Sequence, residues 1–373
     1  RQTRRGRAES RGDEETMSAH QSAAYSRKRV ISTGARPLPA MVRPVSLVLA
    51  LVGLAIFSYG AFTGNDRAWH AFQVNWLFFT TISSAGVMFV AVQRITTARW
   101  SRGIIRFLEG YVAFLPMAFI GLIVLVVFGK AHAYPWWASL HELKPEKQVW
   151  LSHGFFALRD VIVFGTLMAL QLWYVWTSVR LDVGVSPEGG ARWAAGLRAK
   201  MRAGFGEERR ELHSTHSRQG KLAVFMAFVF GFGWCVIAWD QSMSLDPHFF
   251  STMYGWLEFM GGWLVALMTL AVLVRFYKKH LHAGDLITEV HYHDLGKLCF
   301  AFTAFWGYLA FSQFLVIWYG NLSEETHFFT LRLSNGWKNW TVACATLTFA
   351  LPFFGLLSVK AKTHSLVMFF FAT

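Results

Sequence analysis

Apolar runs long enough to cross a bilayer recur through most of the chain, each closed off by a short polar stretch. A helix needs about 20 apolar residues to span the hydrocarbon. By that measure, spans are predicted over 44–62, 70–92, 107–128, 149–179, 221–239, 251–276, 295–319 and 340–359, and a ninth run opens near Ser365. The fold class this predicts is an all-α integral membrane protein, with about nine visible transmembrane helices in a polytopic domain over 44–373. Residues 1–43, rich in Arg and Ser, read instead as a disordered basic cytoplasmic tail.

Charge gives the pattern a direction. The sequence holds 36 Lys and Arg against 22 Asp and Glu, a net +14. In a soluble chain such an excess points to nucleic acid. Here 54% of residues are hydrophobic and only 16% charged, against about 25% charged in ordinary soluble domains. The excess therefore belongs to basic loops on one side of a bilayer, and no nucleic-acid partner is expected. Basic residues crowd the N-terminal tail (Arg27, Lys28, Arg29, Arg36, Arg43) and the loop after the second span (Arg94, Arg99, Arg102, Arg106). They recur in the long loop 181–220, after the sixth span (Arg275, Lys278, Lys279) and after the eighth (Lys360, Lys362). The intervening loops are acidic or poor in positive charge, apart from the mixed loop 130–147. This alternation predicts a multi-pass membrane protein with a cytoplasmic N-terminus, its acidic loops being periplasmic if the host is bacterial and the membrane its inner one. Loop 181–220 reads as a basic amphipathic segment lying on anionic membrane lipid, with His213 and His216 as plain surface residues.

Polar groups inside the spans mark candidate chemistry, because hydrocarbon tolerates them poorly. The fourth span carries His153, Arg159 and Asp160. His153 and Asp160 return to nearly one helical face, with Asp160 about 10 Å deeper. The spacing suits a two-step proton or hydrogen-bond relay; a buried ion pair that fixes helix packing is the other reading. Asp240 closes the fifth span and leads into a loop with Asp246, His248 and Tyr254, and Glu258 lies about two turns into the sixth span. On the seventh, Tyr308, Ser312 and Tyr319 share a face, Gln313 stands to one side, and the helix is followed by Glu324 and Glu325. The other half of the membrane holds fewer polar groups, Gln171 being the clearest. The constellation is bordered by Phe, Trp and Tyr, which suits a flat apolar molecule with two polar oxygens, such as a quinone.

Other cofactors are disfavoured. A haem needs histidines on facing helices at a common depth, and only His153 sits well inside a span. Cys235, Cys299 and Cys344 are far apart within apolar runs, so neither a local zinc site nor an iron–sulfur cluster is expected in this chain. No phosphate-binding or dinucleotide glycine fingerprint is present.

Two stretches, WDQSMSLDPHFFSTMYGW (239–256) and HDLGKLCFAFTAFWGYLAFSQFLVIWYGNLSEET (293–326), resemble the membrane subunits of alternative complex III, relatives of the polysulfide-reductase C and NrfD proteins. The likeness runs from the first helix to the end of the sequence and is nearer the ActF-type than the ActC-type subunit. It implies an NrfD/PsrC-like fold of ten helices in two four-helix bundles, the last helix or so lying beyond this sequence. It also implies membership of a quinol-oxidising complex using menaquinone or ubiquinone. Electrons would pass to a cytochrome c or an oxidase through periplasmic iron–sulfur and multihaem cytochrome c subunits, beside a paralogous NrfD-like subunit. The positions of Asp240, Asp246, His248, Ser312, Gln313, Glu324 and Glu325 would form the periplasmic end. Those of His153, Arg159 and Asp160 would serve quinone or proton chemistry. The resemblance places quinol oxidation more firmly in the ActC-type subunit and gives the ActF type proton conduction or assembly. One departure is Ser323, where the family commonly has Pro before the acidic pair.

Three functions fit these residues. The first is a quinol-site subunit whose carboxylates or His153 accept protons. The second is a proton-conducting or structural subunit built on Asp160, Glu258 and Asp240. The third is a stand-alone transporter, for which Gly261-Gly262 is the clearest candidate helix break. The chain opens RQTRRGRAES, with Met17 and Met41 as candidate starts, and closes SLVMFFFAT in an apolar run too short to span, so it reads as a fragment.

Overall fold

The structure, a computed structural model, describes residues 39–98, 100–185, 194–284, 286–334 and 336–373. The expected tail, through residue 38, and residues 186–193 of the long loop lie outside the described residues. Among the described residues all regular structure is helical. Seven helices are long and apolar enough to cross a membrane: α1 (Val42–Phe62), α2 (Asp66–Ile95), α3 (Ile105–Ala133), α4 (His153–Val185), α5 (Glu208–Gln241), α6 (Thr252–His280) and α7 (Glu289–Gly320). They match the first seven predicted spans. The eighth is shorter and irregular: Trp337–Ala345, a π-helical turn over Thr346–Ala350, then Leu351–Gly355. Pro352 offers no N–H and crowds the carbonyl four residues earlier, which accounts for the widened turn before it. A final helix, Ser365–Ala372, follows where the ninth run was expected.

Helix ends extend past the hydrophobic limits because polar groups satisfy them. The Asn65 side chain accepts the Arg67 N–H at 3.0 Å and starts α2. Thr288 and His291 form a reciprocal cap at the start of α7, and Asn321, at φ 44°, closes it in the left-handed region. The largest difference is α5, which begins at Glu208 instead of Lys221. Glu208 and Glu211 occupy its first turn, where the helix dipole favours acids. Glu211 also pairs with Arg180 of α4 at 3.3 Å. Much of the expected surface loop is thus the stem of a helix, and the short helix Ala195–Arg202 is the amphipathic part that remains.

The most buried helix is α2: 72% of its apolar window is covered, against 6% for α1. It packs on α3, α5 and α6, while α1 leans on it through Phe57, whose ring stacks on Phe72 at 4.5 Å and meets Trp69 at 5.2 Å. Contact between α2 and α6 depends on Gly262, where an added Cβ would stand 2.0 Å from Thr81 Cγ2. Helix α6 runs unbroken through Gly261-Gly262, so these glycines serve close helix approach and not the unwound segment a transporter would use. The link between α3 and α4 also departs from a simple surface loop, because Tyr134 and Trp136 are buried in the main core. One end of the bundle therefore gathers the start of α4, the end of α5 and this aromatic link. The other end carries Arg94, Arg106, Lys278 and Lys279.

Candidate functional site

Two carboxyl groups meet inside the bundle where α4 begins and α5 ends. Asp160, in the second turn of α4, and Asp240, at the last turn of α5, are both fully buried. Arg159 grips Asp240, with its Nε and Nη2 each 2.7 Å from Oδ2. The guanidinium lies between the rings of Trp150 and Phe155, at 3.9 and 4.6 Å. Trp150 donates its indole N–H to Asp240 Oδ1 at 2.9 Å, and its backbone carbonyl accepts from Arg159 at 3.0 Å. Asp160 accepts the Gln241 side-chain amide at 2.6 Å on Oδ2, whereas its Oδ1 has no donor among the described residues. The two acids are close enough to interact directly.

The surrounding bonds hold this arrangement in place. Tyr134 donates its hydroxyl to Gln241 Oε1 at 2.7 Å, and the Gln73 amide of α2 donates to the Gln241 carbonyl at 2.9 Å. Ser244 donates to the Asp240 carbonyl at 2.5 Å and accepts from the Trp136 indole at 3.2 Å. Two carboxylates against one guanidinium would leave a net buried charge, which is costly in low dielectric. One proton on the pair would make the cluster neutral.

Further polar groups continue along the same face of α4, at Gln171 and Ser178, offsets of eleven and seven residues that fall near whole turns. Gln171 donates to the Ser84 carbonyl at 2.9 Å, and Trp234 donates to Ser84 Oγ at 2.9 Å, tying α2, α4 and α5 at mid-depth. At the basic end Ser178 donates to Glu109 at 2.7 Å. Arg106 pairs there with Glu109 and, at 2.5 Å, with Asp182. Between Asp160 and Gln171 lies about 16 Å of helix filled by Phe164, Leu167 and Trp76, with Thr80 the one buried hydroxyl lacking a partner there among the described residues.

The remaining predicted residues are placed differently. His153 is exposed at the α4 start, stacked on Trp137 at 3.7 Å, and does not meet Asp160. Asp246 is half-buried with His327 at 3.6 Å, and His248 is exposed. Tyr254 shares a 2.7 Å hydrogen bond with Ser242, and Glu258, one turn on, is half-buried with no hydrogen bond from the described residues. On α7 the expected face points outward: Tyr308 is 63% and Tyr319 77% exposed, and Ser312 is half-buried. It is Gln313 that turns inward, and neither of its amide atoms has a partner among the described residues. Of the fourteen candidates, Arg159, Asp160 and Asp240 are brought into one cluster. Gln241, Gln73, Tyr134 and Trp150 join them, and Ser84 and Trp234 join Gln171, without standing out in the sequence, where the one local signal is the position of Gln241 beside Asp240.

A cavity of about 260 Å³ adjoins the cluster, lined by Lys147, Trp150, Trp239, Ser244, Phe249 and Phe250. The buried indole N–H of Trp239 has no partner among the described residues. Nearby, Lys144 Nζ lies 3.0 and 3.1 Å from the Glu324 carboxylate, tethering the α3–α4 link to α8 (Ser323–Leu333); Glu325 is half-buried beside it. The hydrogen bond and charge of Lys144 hold the Glu324 carboxyl below its ordinary range. A lowered acid contributes stability that is present above its unfolded value and is lost as pH falls through the folded one. Protection factors for amide exchange over 323–333, referred to the intrinsic rate at each pH, are therefore expected to fall on acidification below the usual glutamate range, with Glu324→Gln showing the lowered protection already at neutral pH. Added salt should weaken the tether, since both partners are exposed. Compared with known proteins, the chain matches no family model and no curated protein.

Proposed function

We propose that the chain is a proton-handling membrane subunit of a quinol-oxidising respiratory complex of the alternative complex III kind, with an NrfD/PsrC-like arrangement in a bacterial inner membrane. The observation that carries this reading is the buried Asp160–Asp240 pair served by a single arginine. Oxidation of a quinol releases two electrons and two protons. The electrons pass to an iron–sulfur or haem centre of a partner subunit. One proton leaves at the acidic end of the bundle, and the other replaces the proton held by the carboxyl pair. The onward path of that proton to Gln171 and Glu109 requires water to enter the apolar stretch around Phe164 and Leu167 beside Thr80. Glu258 sits outside this route. In proteoliposomes holding the purified complex, Asp160→Asn is expected to keep quinol oxidation near the wild-type rate while protons moved per electron fall to background. Unchanged proton movement, or equal loss of both activities, would reject the reading.

The cavity beside Trp150 favours a second reading, in which this subunit binds quinol itself. Its volume fits one ring, its walls are aromatic, and the Trp239 N–H suits a quinone oxygen. Trp150 joins that cavity to Asp240, so the two readings share one proton acceptor. Menaquinone or ubiquinone recovered from the purified chain is expected under this reading, and none under proton handling alone.

A further inference from the structure

Two cavities at the basic end invite an anion, and they differ in how far their cations are already neutralised. The first, about 550 Å³, includes Arg94, Arg102, Arg106 and Glu109 in its lining. Its charges are largely spoken for: Arg106 pairs with Glu109 and Asp182, and Arg94 donates to His216 at 2.7 and 2.9 Å. The second, about 560 Å³, lies where α6 ends and is lined by Arg275, Lys278, Lys279, His282, Tyr292 and Ser365, with Gly284 at its edge. None of its described lining residues is acidic, and Arg275, Lys278 and Lys279 have no carboxylate partner among the described residues.

Other features of the second cavity point the same way. The closing carbonyls of α6 offset only about half a charge, so several positive charges remain. Ser365 opens the helix Ser365–Ala372, whose first-turn N–H groups add positive potential. Tyr292, on α7, is 3% exposed, and its buried hydroxyl has no partner among the described residues. Lys278 Nζ stands 5.4 Å above its ring. Directly beside these basic groups the surface is apolar: Phe276 is 62% exposed, Leu366 53% and Phe370 62%, and Phe276 meets Phe369 edge-on at 5.5 Å.

We propose that this cavity binds the phosphate of an anionic lipid, its headgroup among Arg275, Lys278, Lys279 and Tyr292 and its acyl chains along Phe276 and Phe370. A basic pocket at the end of spanning helices, with exposed aromatic surface just below, has the amphiphilic pattern of a lipid, whereas an acidic protein segment would not need the apolar flank. The shared chemistry is a phosphate group, which free phosphate also offers, so the test separates the two.

The experiment titrates the full chain in detergent with dioctanoyl-phosphatidylglycerol and follows adducts by native mass spectrometry. Removing a surface charge near a lipid phosphate is worth about fivefold, so Lys278→Gln with Lys279→Gln is expected to weaken binding about 30-fold. The single Lys279→Gln, at an exposed position that leaves packing intact, should weaken it about fivefold. Dioctanoyl-phosphatidylcholine should bind far more weakly, and inorganic phosphate should not displace the anionic lipid. Equal binding by the two lipids, or no change in both variants, overturns the proposal. Displacement by inorganic phosphate alone assigns the cavity to a free anion and overturns it too. Occupancy by a polyglutamate peptide without any response to phosphatidylglycerol assigns it to an acidic protein segment, with the same consequence.

Discussion

Replacing both buried acids at once, Asp160→Asn with Asp240→Asn, is expected to destabilise the chain by about 3–5 kcal/mol, more than the sum of the two single changes. The reason lies in Arg159, whose side chain is only 9% exposed and whose only direct carboxylate partner among the described residues is Asp240. In Asp240→Asn the guanidinium loses two charge-assisted contacts, a cost of about 1.5–3 kcal/mol, but Asp160 stands close enough to supply the counter-charge. In Asp160→Asn the Arg159–Asp240 pair survives, and an amide oxygen still accepts from Gln241, so that change is close to neutral for stability. Only the double variant strands a cation in the bundle. Unfolding followed by tryptophan fluorescence in detergent would measure the three variants as a cycle, and a coupling energy near zero would show that the acids do not act as a pair.

The same contrast explains what could be read from the sequence. Ionised side chains in an apolar run stand out because hydrocarbon penalises them, so Arg159, Asp160 and Asp240 were legible singly. Their convergence was not, since it depends on how α4 turns against α5. The neutral partners were harder still. Gln73, Ser84 and Trp234 carry no charge and look like any residue of a span, yet each donates or accepts across helices. Tyr134 and Trp136 sat in a stretch read as loop, where aromatic residues pass for an interfacial belt; their burial depends on that link folding inward. The face of α7 was misdirected for a related reason. Periodicity grouped Tyr308, Ser312 and Tyr319 correctly on one side, but periodicity alone does not say which side meets protein. Exposure at Tyr308 and Tyr319 and burial at Gln313 answer that.

Gln313→Leu is expected to stabilise the isolated chain by about 1–3 kcal/mol, the cost of keeping an unpaired amide buried. Its side chain is 3% exposed on α7, both its oxygen and its nitrogen lack partners among the described residues, and leucine has nearly the same volume. Gln171→Leu makes the opposite case. That side chain is fully buried but bonded to Ser84 through both amide atoms, so the same substitution should destabilise by about 1–2 kcal/mol, the upper range for hydrogen bonds between spanning helices. Unfolding of the two variants under identical detergent conditions therefore tests a difference in sign. If both lose stability, Gln313 has a partner in solution, and its amide belongs with the ligand-binding groups. If Gln313→Leu gains stability alone but lowers the quinol oxidation proposed for the assembled complex, the unpaired amide is held ready for a group that arrives only on assembly. A stability gain with no functional loss leaves it as a poorly satisfied core residue, outside the site.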